Sequence, residues 1–223
     1  MPNKLMEAIN ISKSYKQGGV NIDVLINFSM TLNKGDFLAI TGASGSGKTT
    51  LLNILGLIDN FNSGCLKHFD NDISEASEIQ KDKLRLNHLG FVYQSSNLFD
   101  DFNAIENVAL PLLLLGNSKE ESYKKSSEIL CKFGLSERLK HTPKDLSGGE
   151  QQRIAIARSL ITNPDIVIAD EPTGNLDIET SNNVFEYFMK YTKENNCAVI
   201  MATHNLELAS LASKRLELGA KSE

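Results

Sequence analysis

The sequence has 223 residues, of which 41% are hydrophobic, so it can form one domain, or a core with one inserted lobe, around a sizeable hydrophobic core. Its 28 Asp and Glu residues outnumber its 23 Lys and Arg residues, and the formal net charge is −5. This acidity argues against a protein whose main partner is nucleic acid or an anionic lipid surface.

Apolar runs and cysteines narrow the class of protein further. The most apolar run, residues 108–115, is much shorter than the roughly 20 residues that a membrane-spanning helix requires. Residues 1–7 lack the apolar core and cleavage site of a secretory signal, and Cys65, Cys131 and Cys197 form no CxxC pair. We therefore expect a cytoplasmic chain without a disulfide framework or a zinc site.

The first part of the chain predicts strands, then a glycine-rich turn and a helix. Strands are expected at residues 7–11 and 24–32, with a turn at Gln17-Gly18-Gly19 between them. Later elements are a buried strand at residues 36–41, an apolar helix at 49–57 and a short strand at 91–93.

The glycine-rich turn matches the pattern G-x-x-x-x-G-K-[ST] between the predicted strand and helix. Its glycines allow successive backbone N–H groups to point at an anion, and the helix N-terminus adds a partial positive charge. Lys48 is expected to reach the β- and γ-phosphates of a nucleotide, and the Thr49 hydroxyl to bind Mg²⁺. The predicted phosphate-binding residues are Gly42, Ser44, Gly45, Ser46, Gly47, Lys48, Thr49 and Thr50.

The rest of the chain alternates between predicted helices and buried strands. The helices are expected at residues 103–115, 119–133, 150–160 and 178–194, and the strands at 165–169 and 198–202. The expected fold is α/β, with a mostly parallel core (about residues 1–94 and 161–223), N-terminal antiparallel strands and an inserted helical subdomain at about residues 95–160. Residues 112–115, all leucines, are expected to lie mainly in the helical core; a docking face for a partner is the alternative.

Two acidic residues follow a predicted strand. Asp170 and Glu171 come directly after the apolar residues 166–169, so they are expected at the carboxyl end of the sheet, where ligands of α/β folds bind. Asp170 would hold Mg²⁺ and its waters. Glu171 would orient an attacking water or accept its proton.

The glycine-rich loop is shared by several classes of nucleotide-hydrolysing proteins, and the segment Leu146-Ser147-Gly148-Gly149-Glu150 indicates which class this chain resembles. Its serine hydroxyl and glycine amides would open a helix and form a second anion-binding terminus. The segment matches the L-S-G-G-[EQ] motif, and with the other motifs in order, residues 8–218 resemble the ATP-binding-cassette (ABC) ATPases. The resemblance implies a homodimer in which ATP lies between the glycine-rich loop of one copy and Ser147, Gly148 and Gly149 of the other.

The resemblance assigns four more residues. Tyr15 matches the aromatic residue that stacks on adenine, and Gln94 matches the glutamine that contacts Mg²⁺ and the attacking water. Asp177 matches a loop residue that communicates across the dimer, and His204 matches the switch histidine near the γ-phosphate. The implied catalytic residues are thus Glu171, His204 and Gln94, and the implied cofactors are ATP and Mg²⁺.

Within the family, residues 101–112 and 169–177 are most similar to the lipoprotein-releasing ATPases of Gram-negative bacteria. This implies a peripheral subunit at the cytoplasmic face of the inner membrane, with LolC/LolE-like integral permease subunits as partners and lipoprotein as the cargo. Regulatory ATPases of cell division (FtsE-like) and exporters of macrolides or peptides share the same site and are the alternatives. Residues 95–100 depart from the family's usual histidine- and Leu-Pro-containing segment.

Overall fold

The computed structural model describes residues 4–219, in which nine strands and seven α-helices follow one another. In chain order they are β1 (Lys4–Gln17), β2 (Val20–Asn33), β3 (Phe37–Thr41), α1 (Lys48–Leu55), β4 (Ser63–His68), β5 (Asn71–Asp72), α2 (Glu78–His88), β6 (Leu89–Tyr93), α3 (Ala104–Leu114), α4 (Lys119–Lys132), α5 (Gly148–Leu160), β7 (Ile166–Asp170), α6 (Ile178–Glu194), β8 (Ala198–Ala202), α7 (Leu206–Ser210) and β9 (Lys214–Glu217). They form two structural units: the first contains residues up to Arg85 and from Ala198 onward, and the second is Leu86–Cys197.

The first unit contains an antiparallel sheet in the order β2-β1-β4-β5. β1 and β2 form a hairpin whose two-residue turn is Gly18-Gly19; both glycines have positive φ (58° and 83°), as the favoured two-residue hairpin turns require. The paired residues Met6 and Leu32 are buried, as Ala8 and Met30 are, so the alternating apolar positions of the hairpin face the core.

The first unit also contains parallel strands in the order β8-β3-β9. β3 and β8 consist almost entirely of buried apolar residues, as expected for strands covered on both faces. Ile40 pairs with Ala202 on one side and with Leu216 on the other. Since these strands are parallel, the segments that follow β3 and β8 leave the sheet at the same edge.

The second unit joins the parallel pair β6–β7 to helices α3–α6. Tyr93 and Asp170, the last residues of the two strands, are register partners. Each of the four helices begins at a residue whose side chain accepts a hydrogen bond from a first-turn amide; these residues are Asn103, Ser118, Ser147 and Asp177. The buried ring of Phe133 packs against Tyr187 and Tyr191, with both centroid distances 5.9 Å, and so joins the end of α4 to α6.

The predicted α/β class is confirmed, and α6 and β8 have the predicted limits. β1 and β2, predicted at residues 7–11 and 24–32, are longer than predicted, with 14 residues each. β4, β5, α2, α7 and β9 were not predicted. The expectation for the four leucines is mostly wrong, because only Leu112 is buried while Leu114 and Leu115 are exposed at the end of α3. The predicted helical subdomain (residues 95–160) lies within the second unit, which also contains β6, β7 and α6, and its limits stay a prediction. Among residues 4–219, no helix combines the length and apolar character that crossing a membrane requires.

Candidate active site

The loop that follows β3 depends on glycine at two positions. Gly42 and Gly47 have φ values of 148° and 94°, which L side chains rarely adopt. A Cβ at Gly42 would lie 2.6 Å from the Leu218 carbonyl oxygen, and a Cβ at Gly47 would lie 2.7 Å from Val24 Cγ1. Larger residues would therefore disrupt the tight backbone path that leads from β3 into α1.

The N-terminus of α1 has the properties of an anion site. Among the described residues, no side chain caps it, and its first turn contains no acidic residue. The partial positive charge of the helix N-terminus is therefore not offset by a capping side chain or by a carboxylate in the first turn, which favours an anion there. The Lys48 Nζ donates to the carbonyl oxygens of Gly42 (2.8 Å) and Ala43 (3.0 Å), so its positive charge lies against the loop.

Ser46 adds a second indication of a ligand. Its hydroxyl is buried, yet it makes no hydrogen bond within residues 4–219. A buried polar group without a partner is costly, so this hydroxyl suits a bound acceptor. Ser44, Gly45 and Thr49 are exposed on the same loop and on the first turn of α1. The Lys48 ammonium, the Ser46 hydroxyl and the N-terminus of α1 together fit a nucleotide phosphate.

His204 lies at the same edge of the sheet as this loop. The amide of Thr203 donates to the carbonyl oxygen of Ile40 (3.1 Å), two residues before Gly42. Asn205 donates its amide to the Thr203 hydroxyl (3.0 Å) and caps α7, which fixes the turn that contains the exposed His204. The structure therefore places the predicted switch histidine in the turn after β8, the strand that pairs with β3.

Tyr15 lies near the end of β1, also in the first unit. The residue is 41% exposed, and its hydroxyl donates to Asp59 Oδ2 at 2.7 Å. An exposed ring with a fixed hydroxyl is suited to stacking on a planar base.

In the second unit, Asp170 and Glu171 stand at the carboxyl end of β7, as predicted. Asp170 is the last residue of the strand, and Glu171 has a φ of 49°, an unusual conformation for a residue with a side chain. The carbonyl oxygen of Glu171 accepts a hydrogen bond from the Gly174 amide (3.0 Å), so a tight turn follows it.

Gln94 comes next to these carboxylates because β6 and β7 end together. Its Nε2 donates to Asn175 Oδ1 (2.8 Å), and the Asn175 Nδ2 donates back to the Gln94 carbonyl oxygen (3.2 Å). A Cβ at Gly174 would lie 3.1 Å from Gln94 Nε2 and 3.4 Å from Glu171 Cβ. The structure thus groups Gln94, Glu171 and Gly174 and adds Asn175, which the sequence analysis did not assign.

Asp177 has a local structural role. It is the N-cap of α6, and its carboxylate accepts a hydrogen bond from the Thr180 amide at 3.0 Å. This backbone hydrogen bond lowers the pKa of the Asp177 carboxyl from its ordinary value. The carboxylate therefore stays ionised at neutral pH and fixes the start of α6.

The L-S-G-G-E segment opens α5 with a capping box. Ser147 Oγ accepts from the Glu150 amide (3.3 Å), while Glu150 Oε2 accepts from the Ser147 amide (2.8 Å). Arg138 Nε donates to Glu150 Oε1 at 2.7 Å. Burial alone would raise the pKa of the Glu150 carboxyl, but the hydrogen bonds from Ser147 and Arg138 outweigh it and lower that pKa. Ser147 and Gly148 are exposed, whereas Gly149 is buried.

The segment that follows Gln94 is held by polar residues of α5. Gln152 Nε2 donates to the Tyr93 carbonyl oxygen (2.8 Å), and Arg158 donates to the carbonyl oxygens of Ser96 and Asn97 (2.9 Å each). Gln152 and Arg158 were not predicted as functional residues. A polar residue among the apolar positions of a predicted helix is the signal that could have identified Gln152. In the structure this residue is only 3% exposed.

The sequence pattern of the ABC transporter family matches residues 25–174. The chain is 47% identical over 218 residues to the lipoprotein-releasing system ATP-binding protein LolD of Rickettsia bellii, covering 98% of this chain and 96% of that protein. It is 44% identical to LolD of Novosphingobium aromaticivorans, covering 94% and 93%. Among solved structures, the ATP-binding cassette MJ0796, in a dimeric post-hydrolysis state bound to ADP and Pi, has a TM-score of 0.89 and 35% identity, covering 96% and 94%. The chain therefore belongs to the ABC transporter family and, within it, to the lipoprotein-releasing system ATP-binding proteins.

Proposed function

We propose that this chain is the ATP-hydrolysing subunit of an ABC transporter that releases lipoproteins from the inner membrane for transfer to a periplasmic carrier. The observation that carries the proposal is the N-terminus of α1, which no side chain caps, with the Lys48 ammonium and the unpartnered Ser46 hydroxyl beside it. The relatives compared above are named for lipoprotein release. Those names favour this function over a cell-division regulator or an exporter of macrolides or peptides.

The phosphate groups of ATP would bind to the loop between β3 and α1. Lys48 would exchange its two loop carbonyl partners for phosphate oxygens, and Ser46 would gain the acceptor that it lacks. The residues proposed to contact ATP in this copy are Gly42, Ser44, Gly45, Ser46, Gly47, Lys48, Thr49 and Thr50 for the phosphates and Tyr15 for adenine.

Mg²⁺ would be held by the Thr49 hydroxyl, the Asp170 carboxylate and the Gln94 amide oxygen. All three ligands are oxygen atoms, which Mg²⁺ prefers. Mg²⁺ needs only a few protein ligands when phosphate oxygens and waters complete its coordination shell. When bound, Mg²⁺ neutralises phosphate charge. Gln94 would bind Mg²⁺ through its side-chain oxygen. This oxygen is available because the side chain bonds to Asn175 through its Nε2.

Glu171 and His204 would act on the attacking water. The Glu171 carboxylate would orient this water and accept its proton, a role worth roughly 10²–10⁴-fold in rate. His204 would donate a hydrogen bond toward charge that develops on the γ-phosphate. Asn175 would keep Gln94 in place beside Glu171.

A second copy of the chain would complete the site. Ser147, Gly148 and Gly149 of that copy would bind the γ-phosphate at the start of α5, and Asp177 would lie at the dimer contact. The capping box holds Ser147 at the exposed start of the helix, where it can meet a partner. Integral permease subunits of the LolC/LolE kind would couple the opening and closing of the dimer, at the cytoplasmic face of the inner membrane, to release of the cargo.

The substitution Glu171→Gln tests this assignment. It should lower Mg²⁺-dependent ATP hydrolysis by about 10²-fold or more, because the amide cannot accept the proton. ATP binding should persist, and light scattering should detect a dimer in ATP. Glu186→Gln, an exposed change on α6, is the matched control and should hydrolyse ATP normally. Hydrolysis at the wild-type rate in Glu171→Gln would show that this carboxylate is not the base.

Purification from solubilised membranes tests the transport role. A tagged Glu171→Gln chain, loaded with ATP, should co-purify with a pair of permease subunits, and ATP hydrolysis by the wild-type complex should release a lipoprotein from proteoliposomes. Recovery of only a division-site membrane protein, or of only a drug exporter, would contradict lipoprotein release while leaving the ATPase assignment intact.

A further inference from the structure

The predicted adenine-stacking residue is bound to a second segment of the first unit. Tyr15 donates its hydroxyl to Asp59 Oδ2 (2.7 Å), and Lys13 donates to Asp59 Oδ1 (2.9 Å), so one carboxylate joins two neighbouring side chains of β1. Asp59 lies in the loop after α1, 44 residues from Tyr15 along the chain. The Lys13 side chain is only 11% exposed and that of Asp59 32%, so water screens this ion pair less than a surface pair.

Lys13 also contacts the ring of Tyr15 directly. Its Nζ lies 4.8 Å from the ring centroid, within the range of a cation–π contact. The ammonium therefore covers one face of the ring, and a planar base can stack only on the other. Asp59 fixes the hydroxyl end of the ring and the ammonium at once, so the orientation of the ring depends on this carboxylate.

The loop that carries Asp59 is itself anchored on two sides. On the β1 side, the Asn62 amide donates to the Ser12 carbonyl oxygen (2.8 Å), and Asn62 Oδ1 accepts from the Ser14 amide (2.7 Å). On the α2 side, the buried Lys81 donates to Asn60 Oδ1 (2.7 Å). The position of Asp59 is therefore defined by backbone and side-chain contacts rather than by the ion pair alone.

The same loop begins where α1 ends. α1 starts at Lys48 in the phosphate loop and stops at Leu55, and Asp59 follows four residues later. The hydrogen bonds of Asp59 thus link the base-stacking side chain to the far end of the helix whose start binds phosphate.

The charge state of Asp59 agrees with this geometry. Burial alone would raise the pKa of its carboxyl, but hydrogen bonds from Tyr15, Lys13 and the Asn60 amide outweigh burial and lower the pKa below its ordinary value. The carboxylate is therefore ionised at neutral pH and acts only as an acceptor, as the two donors require.

We propose that Asp59 and Lys13 are positioning residues that hold Tyr15 in the orientation needed to stack on the adenine ring. This inference rests on the proposed ATPase function, and neither residue need touch the nucleotide. Without the carboxylate, Tyr15 would have to be ordered each time a nucleotide binds, and affinity for the base would fall. Affinity for the phosphates, which Lys48 and the N-terminus of α1 provide, would be unchanged.

The test compares a ligand that has a base with one that has none. Dissociation constants of Mg·ADP and of Mg·tripolyphosphate would be measured on the full chain by displacement of a fluorescent ADP analogue. Asp59→Ala should weaken ADP binding about tenfold, as expected for loss of charge-assisted hydrogen bonds, and leave tripolyphosphate binding unchanged. Asp59→Asn keeps one acceptor oxygen, so its affinity for ADP should lie between those of Asp59→Ala and the wild type. In hydrolysis, KM for ATP should rise and kcat should stay near its wild-type value.

Further variants distinguish a positioning role of Asp59 from a change in the fold. Tyr15→Phe removes only the hydroxyl and should also weaken ADP selectively, even if Asp59→Ala does not fold. In a Tyr15→Ala background, Asp59→Ala should cause no additional loss of ADP affinity, because the side chain it positions is gone. Asp70→Asn is the matched control, since Asp70 forms an ion pair with Lys4 in the same unit away from Tyr15, and ADP binding should be unaffected.

The outcomes separate this inference from the proposed function. If Asp59→Ala and Tyr15→Phe weakened the binding of ADP and of tripolyphosphate equally, the loop would support the phosphate site. If both variants bound ADP as the wild type does, Tyr15 would need no support. Each of these results overturns the inference and leaves the proposed function intact. A wild-type chain that binds neither ligand overturns the proposed function and the inference with it.

Discussion

Gly148 and Gly149, the two glycines of the L-S-G-G-E motif, are both proposed to bind phosphate but differ in their packing. A Cβ at Gly149 would lie 2.4 Å from Thr180 Cγ2, so a larger residue there would force the Thr180 side chain on α6 to shift. A Cβ at Gly148 would meet its nearest neighbour, Leu176 Cδ2, at 3.6 Å, an ordinary contact. The motif alone does not distinguish the two glycines, because the difference depends on a helix that begins almost 30 residues later.

Gly149→Ala should therefore destabilise the protein. Overpacking costs about 1–3 kcal/mol, against a gain of about 0.5–1 kcal/mol from replacing glycine in a helix, so the net loss in unfolding free energy should be up to about 2.5 kcal/mol. Urea unfolding would measure it. Gly148→Ala, the matched control, should be neutral or slightly stabilising. Adding Thr180→Ser to Gly149→Ala removes the clashing methyl and should restore most of the loss. Equal stability of the two alanine variants would contradict this packing argument.

At the scale of elements, α5 fixes the segment that follows β6. Arg158 donates from its two terminal nitrogens to two successive carbonyl oxygens, those of Ser96 and Asn97. Burial lowers the pKa of the Arg158 guanidinium, although arginine remains charged at all physiological pH values. The planar fork of the guanidinium is what allows one side chain to hold two adjacent peptide groups.

Arg158→Lys should loosen this segment while keeping the charge. A single ammonium group cannot make both hydrogen bonds that the guanidinium makes to the Ser96 and Asn97 carbonyl oxygens. The loss of one charge-assisted hydrogen bond should increase the rate of amide hydrogen exchange at residues 96–98 by about tenfold. Mass spectrometry of exchange on the full chain would measure it. Arg138→Lys, which alters the neighbouring contact with Glu150, should leave exchange at these residues unchanged. Unchanged protection in Arg158→Lys would mean that other contacts hold the segment.

The elements that could be predicted are those whose own side chains are buried in a regular pattern. β8 is a run of five buried residues, and α6 buries Val184, Phe185 and Phe188 on one face. β9 was missed because its four residues are mostly exposed and polar, and its pairing with β3 comes from backbone hydrogen bonds. α2 was missed because Lys81 is its only buried residue.

The residues of the candidate site also fall into those that could be predicted from the sequence and those that could not. The phosphate loop, Asp170 and Glu171 could be predicted because local sequence alone places a glycine turn and two carboxylates at strand ends. Asp59, Asn175 and Arg158 could not, because each acts on a residue more than 40 positions away, and only the tertiary structure brings the pairs together. Local sequence thus specifies the chemical groups, and the fold specifies what holds them.

Across the whole molecule, several carboxyl groups are held in the ionised state. Hydrogen bonds or ion pairs lower their pKa values: Lys4 acts on Glu7, Lys125 on Glu121 and the Thr142 hydroxyl on Asp145. The described carboxyl groups with a lowered pKa are Glu7, Asp59, Asp72, Glu121, Asp145, Glu150 and Asp177. They are distributed over both units, so acid should affect the entire fold rather than one element.

The unfolding free energy should therefore depend on pH in the acid range. These groups bind protons more weakly in the native state than in the unfolded state, so their stabilising contribution is complete above about pH 5.5 and decreases as the pH falls through about 4.5 and below. Urea unfolding at pH 7, 5.5, 4.5 and 3.5 would measure this loss. Glu150→Gln removes one titrating group whose hydrogen bonds favour the ionised form, so its stability should be lower at pH 7 and fall less steeply with acidification. An unfolding free energy that stayed constant or increased between pH 5.5 and 3.5 would show that these contacts do not favour the ionised carboxylates.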